Sequence, residues 1–199
     1  MTGASPGGVL AVDTSSRRRL VVLRAGRGGE PAVARTKDGG AALPWLDATI
    51  AELGVAGLEA VVVVTGPGSY TGLRAGMAAG LGLAHALAIP LHGVGSLEVA
   101  AWGAPPGDGE TLALVEAGRG GAYAGRFLRG EAIVEMTGEP CRVSLLSVAV
   151  GDPPPVSLDA LDLPGLRRVD PVRALAAAIP AALMRPPLRL AGLAATYLD

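Results

Sequence analysis

The sequence predicts an α/β protein in which a mixed sheet is flanked by helices and followed by a smaller, strand-rich lobe. Three observations predict it. Apolar β-branched runs recur at Val9-Leu-Ala-Val12, Leu20-Val-Val-Leu23 and Val61-Val-Val-Val64, the composition of strands buried on both faces. Segments of helical spacing separate the later runs. The resulting order, β-β-β-α-β-α-β-α, closes most simply into one sheet with helices packed against it. The breaker Ala104-Pro-Pro-Gly-Asp-Gly109 then divides the chain into an expected N-terminal lobe, 1–104, and a reduced C-terminal lobe, 105–199.

Val9–Asp13 reads as the first strand, with a carboxylate where it emerges. Ser15–Arg19 is turn-like, and Arg17-Arg18-Arg19 is expected as a solvated hairpin tip. Leu20–Arg24 pairs back, and Pro31–Thr36 supplies a third strand. Leu43, Leu46, Ile50 and Leu53 share a helical face, with Pro44 in the first turn and Gly54 at the end. The valine strand follows, then a glycine turn and a helix starting near Thr71. Pro90–Val94 is a short strand, and Ser96 is placed to cap a helix over Leu97–Trp102.

In the second half, strands are expected at Thr111–Glu116, Ala122–Leu128, Ala132–Thr137 and Arg142–Leu146, with a remnant at Val148–Gly151. A proline-rich irregular stretch opens at Asp152. Asp170-Pro171 caps a last helix, 171–184, which Pro180 is expected to bend or end and which is placed to pack back on the first lobe. The tail Ala191–Asp199 is expected to cross the surface.

Composition narrows the function. Half of the 199 residues are hydrophobic but 3% are aromatic, so the core is built from Ala, Val and Leu. A net charge of −1 gives no electrostatic basis for tight nucleic-acid binding by the chain alone. Cys141 is the single cysteine, which excludes a disulfide framework, and its alternating surroundings suggest a buried, inert thiol. The N-terminus does not read as a signal peptide. The apolar run Ala75–Leu91 is too short, and too interrupted by His85 and glycines, for a membrane span. The expectation is a cytoplasmic chain without a membrane anchor.

Val61-Val-Val-Val-Thr-Gly-Pro-Gly-Ser-Tyr-Thr-Gly-Leu-Arg-Ala-Gly76 is the most informative segment. A strand running through a glycine turn into a helix N-terminus can hold an anion, so Gly66, Gly68 and Ser69 are candidates for a nucleotide or anion site. The alternative is a tight turn whose glycines let strand and helix pack closely. No Lys-Ser or Lys-Thr pair follows Gly72, so this is not a Walker loop, and the glycine spacing departs from Gly-x-Gly-x-x-Gly.

Gly72, Gly76, Gly80 and Ala84 fall at every fourth position of the next helix. Each interior glycine costs about 1 kcal/mol relative to alanine, so close approach of another element is expected. That element is either the chain's own sheet or a partner. With Met77, and with Leu46 and Ile50 of the preceding helix, the stripe is the candidate partner-binding surface.

Leu10-Ala-Val-Asp-Thr-Ser-Ser16, the Thr65–Gly76 segment and Ile89-Pro-Leu-His-Gly-Val-Gly-Ser-Leu97 together closely resemble the bacterial TsaB (YeaZ) family. Ala195-Thr-Tyr-Leu198 resembles the family's C-terminal signature more weakly. The resemblance implies an actin-like, Hsp70-like ATPase-type fold of two lobes. It implies a part in forming N6-threonylcarbamoyladenosine at position 37 of tRNAs that read codons beginning with A. The implied partners are a catalytic paralogue of the TsaD type, a TsaE-type ATPase, and tRNA through the complex alone. A homodimer is expected when the paralogue is absent.

Where TsaD-like chains carry metal-binding histidines, the matching frame here reads Pro90-Leu-His-Gly-Val-Gly-Ser-Leu-Glu-Val-Ala100, with Ser96 and Ala100 in place of imidazoles. Neither supplies a nitrogen donor. His85 and His92 lie on a helix and a strand, without the spacing of a helical metal pair. Asp13-Thr-Ser-Ser lacks the glycine that actin-like ATPases use near phosphate. Val115-Glu-Ala-Gly-Arg119 stands where TsaB-like chains often have Asp-Ala-Arg, which makes Glu116 and Arg119 its remnant. Lys37–Pro44 lacks a histidine common in the family. The expectation is a non-catalytic scaffold that needs no metal or cofactor of its own, with ATP or ADP at the complex interface. The alternative is a free-standing enzyme, either a phosphotransferase or a glycoprotease-like peptidase.

Overall fold

The computed structural model describes residues 8–107, 109–148 and 154–189. Three strands open the chain: β1 (Gly8–Asp13), β2 (Leu20–Gly26) and β3 (Pro31–Lys37). Helix α1 (Ala42–Leu53), strand β4 (Leu58–Gly66), helix α2 (Tyr70–Leu87), strand β5 (Leu91–Gly95) and helix α3 (Ser96–Trp102) follow. The strands form one five-stranded sheet in the order β3-β2-β1-β4-β5. β1, β2 and β3 are antiparallel neighbours, whereas β4 runs parallel to both β1 and β5.

Alternation along these strands explains why they are apolar on both sides. Val9, Ala11, Val21, Leu23, Val62 and Val64 face α3 and helix α4 (Pro171–Met184). Leu10, Val12, Val22, Val61 and Val63 face α1 and α2, where Leu46, Leu73 and Met77 meet them. Successive side chains point to opposite faces, so a strand covered by helices twice over needs an unbroken hydrophobic run.

The second sheet contains β6 (Glu110–Gly118), β7 (Gly121–Arg129), β8 (Val134–Met136), β9 (Cys141–Ser144), β10 (Val156–Ser157) and β11 (Arg167–Arg168). Its order is β11-β10-β6-β7-β8, with β9 also paired to β7. Ala113, Val115, Phe127 and Val156 of this sheet share one hydrophobic cluster with α3, α4 and the first sheet. Helix α4 thus lies against the first sheet although it comes last in the chain.

Several expectations require correction. Ser96 does not cap α3: Gly95 is the N-cap, and the buried Ser96 hydroxyl donates to the Pro67 carbonyl. Pro180 neither ends nor interrupts α4, which continues to Met184. The turn between β2 and β3 covers the place where Pro180 removes a donor. A Cβ on Gly29 would stand 2.4 Å from the Ala176 oxygen, so only a glycine backbone comes this close. Cys141 is exposed, because β9 pairs beside β7 with most of its side chains facing solvent. Val143 and Ser144 lead into a 3-10 turn at Leu145–Ser147 rather than a strand reaching Leu146. The short β10 and β11 lie in the stretch read as irregular. The remnant beyond Val148, the start of the proline stretch at Asp152 and the tail from Ala191 lie outside the described residues.

Candidate functional site

The glycine turn folds onto the loop after β1. Gly66 has a positive φ of 110°, followed by a cis Gly66–Pro67 bond. The Ser69 N–H donates to the Ser15 carbonyl at 2.7 Å, and a Cβ on Gly68 would fall 2.4 Å from the same oxygen. The Ser69 hydroxyl caps α2 by accepting from the Gly72 N–H at 3.4 Å. Here an anion would compete with Ser15 for the Ser69 amide. Gly68 and Ser69 therefore pack closely against the loop after β1.

The stripe on α2 turns inward. A Cβ on Gly72 would lie 2.1 Å from the Thr14 carbonyl oxygen, and one on Gly76 would lie 2.2 Å from the Thr14 hydroxyl. A Cβ on Gly80 would lie 2.4 Å from Val63 Cγ1. Thr14 Oγ1 itself donates to the Gly72 carbonyl at 2.7 Å. Gly76, Met77, Gly80, Ala84 and Leu46 are buried, Gly72 and Ile50 half-buried. In this chain the elements that approach the glycines are its own first sheet, at Val63, and the loop after β1, at Thr14.

The opposite side of α2 is open. Tyr70, Arg74, Ala78, Gly82 and Ala86 recur every fourth residue and are all exposed. A Cβ on Gly82 would touch nothing within 4 Å. Beyond Arg74, which stacks over the Tyr70 ring at 5.1 Å, this face is nearly bare of side chains. An apolar groove of about 820 Å³, lined by Ala78, Leu81, Gly82, Ile89 and Leu188, runs beside its C-terminal half. On α1, Leu43 is 56% exposed.

Where the two sheets meet, the arginine run departs from the expected solvated tip. Arg17 and Arg18 are exposed, but Arg19 is buried. Its guanidinium donates to Asp13 Oδ2 at 2.7 Å and stands 3.8 Å from Asp159 Oδ1, with both carboxylates buried. Asp13 Oδ1 also accepts from the Ser15 N–H at 2.9 Å and the Ser15 hydroxyl at 2.6 Å. Burial pushes the Asp13 carboxyl up, yet Arg19 and the Ser15 hydrogen bonds together outweigh it and hold the group below its ordinary 3.8. Burial lowers the Arg19 pKa, and the facing Asp13 and Asp159 carboxylates more than restore it. A buried guanidinium with paired carboxylates is the arrangement in which such a charge is tolerated.

The remaining candidates scatter. Glu116 lines the cleft between the glycine turn and the second sheet, its N–H donating to Asp159 Oδ2 at 3.1 Å and its carboxylate 3.3 Å from Arg18. Arg119 sits exposed at the tip of the β6–β7 hairpin with a positive φ of 53°. His85 is exposed on α2. His92 is buried against the end of α4, where burial pushes its pKa down although the Arg185 and Ala182 backbone favours the charged form. Ala100 is buried inside α3. Among the described residues, no three His, Cys, Asp or Glu side chains converge as a metal site. No described helix is long and apolar enough to cross a membrane.

A nucleotide with its metal would need free amides at the glycine turn and carboxylates free to face a cation. The Ser69 amide is engaged by Ser15, and Arg19 already lies between Asp13 and Asp159. The residues present do not fit that group. Sequence reading missed Arg19 and Asp159. Their only signal was a carboxylate in the apolar context Val156-Ser-Leu-Asp159, 140 residues from Arg19.

The two sheets, their strand order and the helices covering both faces of the first define an α/β protein of the actin-like ATPase type. A model of the protein family described as "TsaD: tRNA N6-adenosine threonylcarbamoyltransferase" matches residues 11–170. The chain belongs to this family. It is 41% identical over 117 residues to an uncharacterized protein of Mycobacterium leprae, covering 57% of this chain and 32% of the relative. It is 38% identical over 78 residues to the tRNA threonylcarbamoyladenosine biosynthesis protein TsaB of Bacillus subtilis, covering 39% of this chain and 34% of that protein. These matches span about a third of the length of the curated relatives. The structure of YeaZ from Pseudomonas aeruginosa superposes with a TM-score of 0.71 at 23% identity, covering 96% of this chain and all of the other, a likeness of fold.

Proposed function

We propose that this chain is a non-catalytic subunit in the formation of N6-threonylcarbamoyladenosine at adenosine 37 of tRNAs reading codons that begin with A. It acts by binding a catalytic paralogue of the TsaD type. The observation that carries this reading is the open face of α2, where Ala78, Gly82 and Ala86 leave a helix bare of side chains beside an apolar groove. Such a face admits a second helix at close range. The inward glycines, Gly72, Gly76 and Gly80, with Leu46, Ile50, Met77 and Ala84 behind them, hold that helix flat on its sheet and support the docking face from beneath.

The same face is proposed to form a homodimer when the paralogue is absent. A TsaE-type ATPase and tRNA join through the complex, in the cytoplasm. ATP or ADP is proposed to bind at the interface of the complex. Residues 1–104 and 105–199 are taken as the two lobes.

Calorimetric titration of the chain with a TsaD-type subunit tests the docking face. Ala78→Arg and Gly82→Leu should each weaken binding at least tenfold without lowering the thermal melting point of the chain. Unchanged affinity in both variants would refute docking through this face.

A further inference from the structure

We propose that Arg19 is a built-in cation of the cleft, joining the two sheets where a bound ligand's cation would otherwise be needed. Asp13 ends β1 in the first sheet, and Asp159 follows β10 in the second. Each carboxylate is fixed to its own side. Asp13 Oδ1 accepts twice from Ser15, and Asp159 Oδ2 accepts from the Glu116 N–H. The other oxygen of each, Asp13 Oδ2 and Asp159 Oδ1, faces the Arg19 guanidinium at 2.7 and 3.8 Å. Arg19 leaves only 8% of its side chain to solvent and each aspartate 1%. Without the guanidinium, two buried negative charges would face each other across the joint with nothing between them.

A cation supplied by the chain itself holds the sheets together whether or not a ligand is present. It also excludes a divalent ion and the phosphates such an ion would carry. This is independent of the docking reading, since no residue of the α2 face takes part.

The test is thermal unfolding of the full chain, with magnesium chloride, magnesium ATP or methylguanidinium added separately. Arg19→Ala should melt lower by roughly 10 °C. Millimolar methylguanidinium or magnesium ion should restore part of that loss in Arg19→Ala and shift the unsubstituted chain by nothing measurable. Asp159→Asn, which keeps the shape and removes one charge, should lower the melting point without acquiring a response to magnesium. Stabilisation of the unsubstituted chain by magnesium ion or magnesium ATP would overturn the proposal, as would an Arg19→Ala chain that melts like the original. Should Arg19→Ala fail to fold, the triple variant Asp13→Asn, Arg19→Leu and Asp159→Leu, which leaves none of the three charges at the joint, replaces it. It should fold without any response to the three additives, and a magnesium response there would again contradict the proposal.

Discussion

Gly76 lies directly against Thr14: a Cβ at Gly76 would be 2.2 Å from the Thr14 hydroxyl oxygen, which is itself held at 2.7 Å from the Gly72 carbonyl. The hydroxyl is not a flexible end that can swing aside without losing its acceptor. At Gly82, six residues on, the same added atom meets nothing. One helix therefore carries glycines of opposite consequence. Gly82→Ala should stabilise the chain by about 0.5–1 kcal/mol through helix propensity. Gly76→Ala gains the same term but must displace Thr14, for a net loss of roughly 1–3 kcal/mol. Urea denaturation of the two variants separates them, and equal shifts of the same sign would contradict the packing described.

Acid stability follows from Asp13. Its folded pKa lies below 3.8, so its contribution is complete above that value and is lost as pH falls through the lower folded value. Urea unfolding at a series of pH values should show a steepening loss below pH about 4. Asp13→Asn should be less stable at neutral pH and lose part of that acid slope. A slope identical in both chains would remove Asp13 from the account.

Cys141 is exposed on β9, beside a surface cavity of about 310 Å³. A maleimide should label the folded chain to one equivalent, at a rate that urea below the unfolding transition does not raise. Labelling that waits for global unfolding would restore the buried thiol the alternating sequence suggests.

Asp170 caps α4 by accepting from the Val172 and Arg173 N–H groups at 2.8 and 3.0 Å. Asp170→Ala should cost about 1 kcal/mol in unfolding free energy. Because α4 packs on the first sheet and on α3, the loss should appear as a lower midpoint of one cooperative transition. A separate early melting of α4 would contradict that packing.

The first sheet was legible because its strands are covered twice, which forces long apolar runs, and because Pro44, Gly54 and Asp170 mark helix ends locally. The glycine turn and its helix were legible as elements. Their orientation was not, since 72/76/80/84 and 74/78/82/86 are both poor in large side chains. Thr14 and Val63, distant in sequence, decide which faces inward. The same holds for the three arginines. Nothing local distinguishes Arg19 from Arg17 and Arg18, and its partner Asp159 belongs to the other sheet. Strands of two residues, such as β10 and β11, offer no period to read. Edge position, which exposes Cys141, is likewise a property of the assembled sheet.

The central claim is that this chain assists a catalytic relative and performs no transfer alone. The most direct measurement is threonylcarbamoyl incorporation into tRNA from the adenylate donor, using purified TsaD-type and TsaE-type subunits with and without the chain. The account predicts no product from the chain alone and product from the mixture only when the chain is present, reduced by Ala78→Arg. Turnover by the isolated chain, or full modification in its absence, would contradict it.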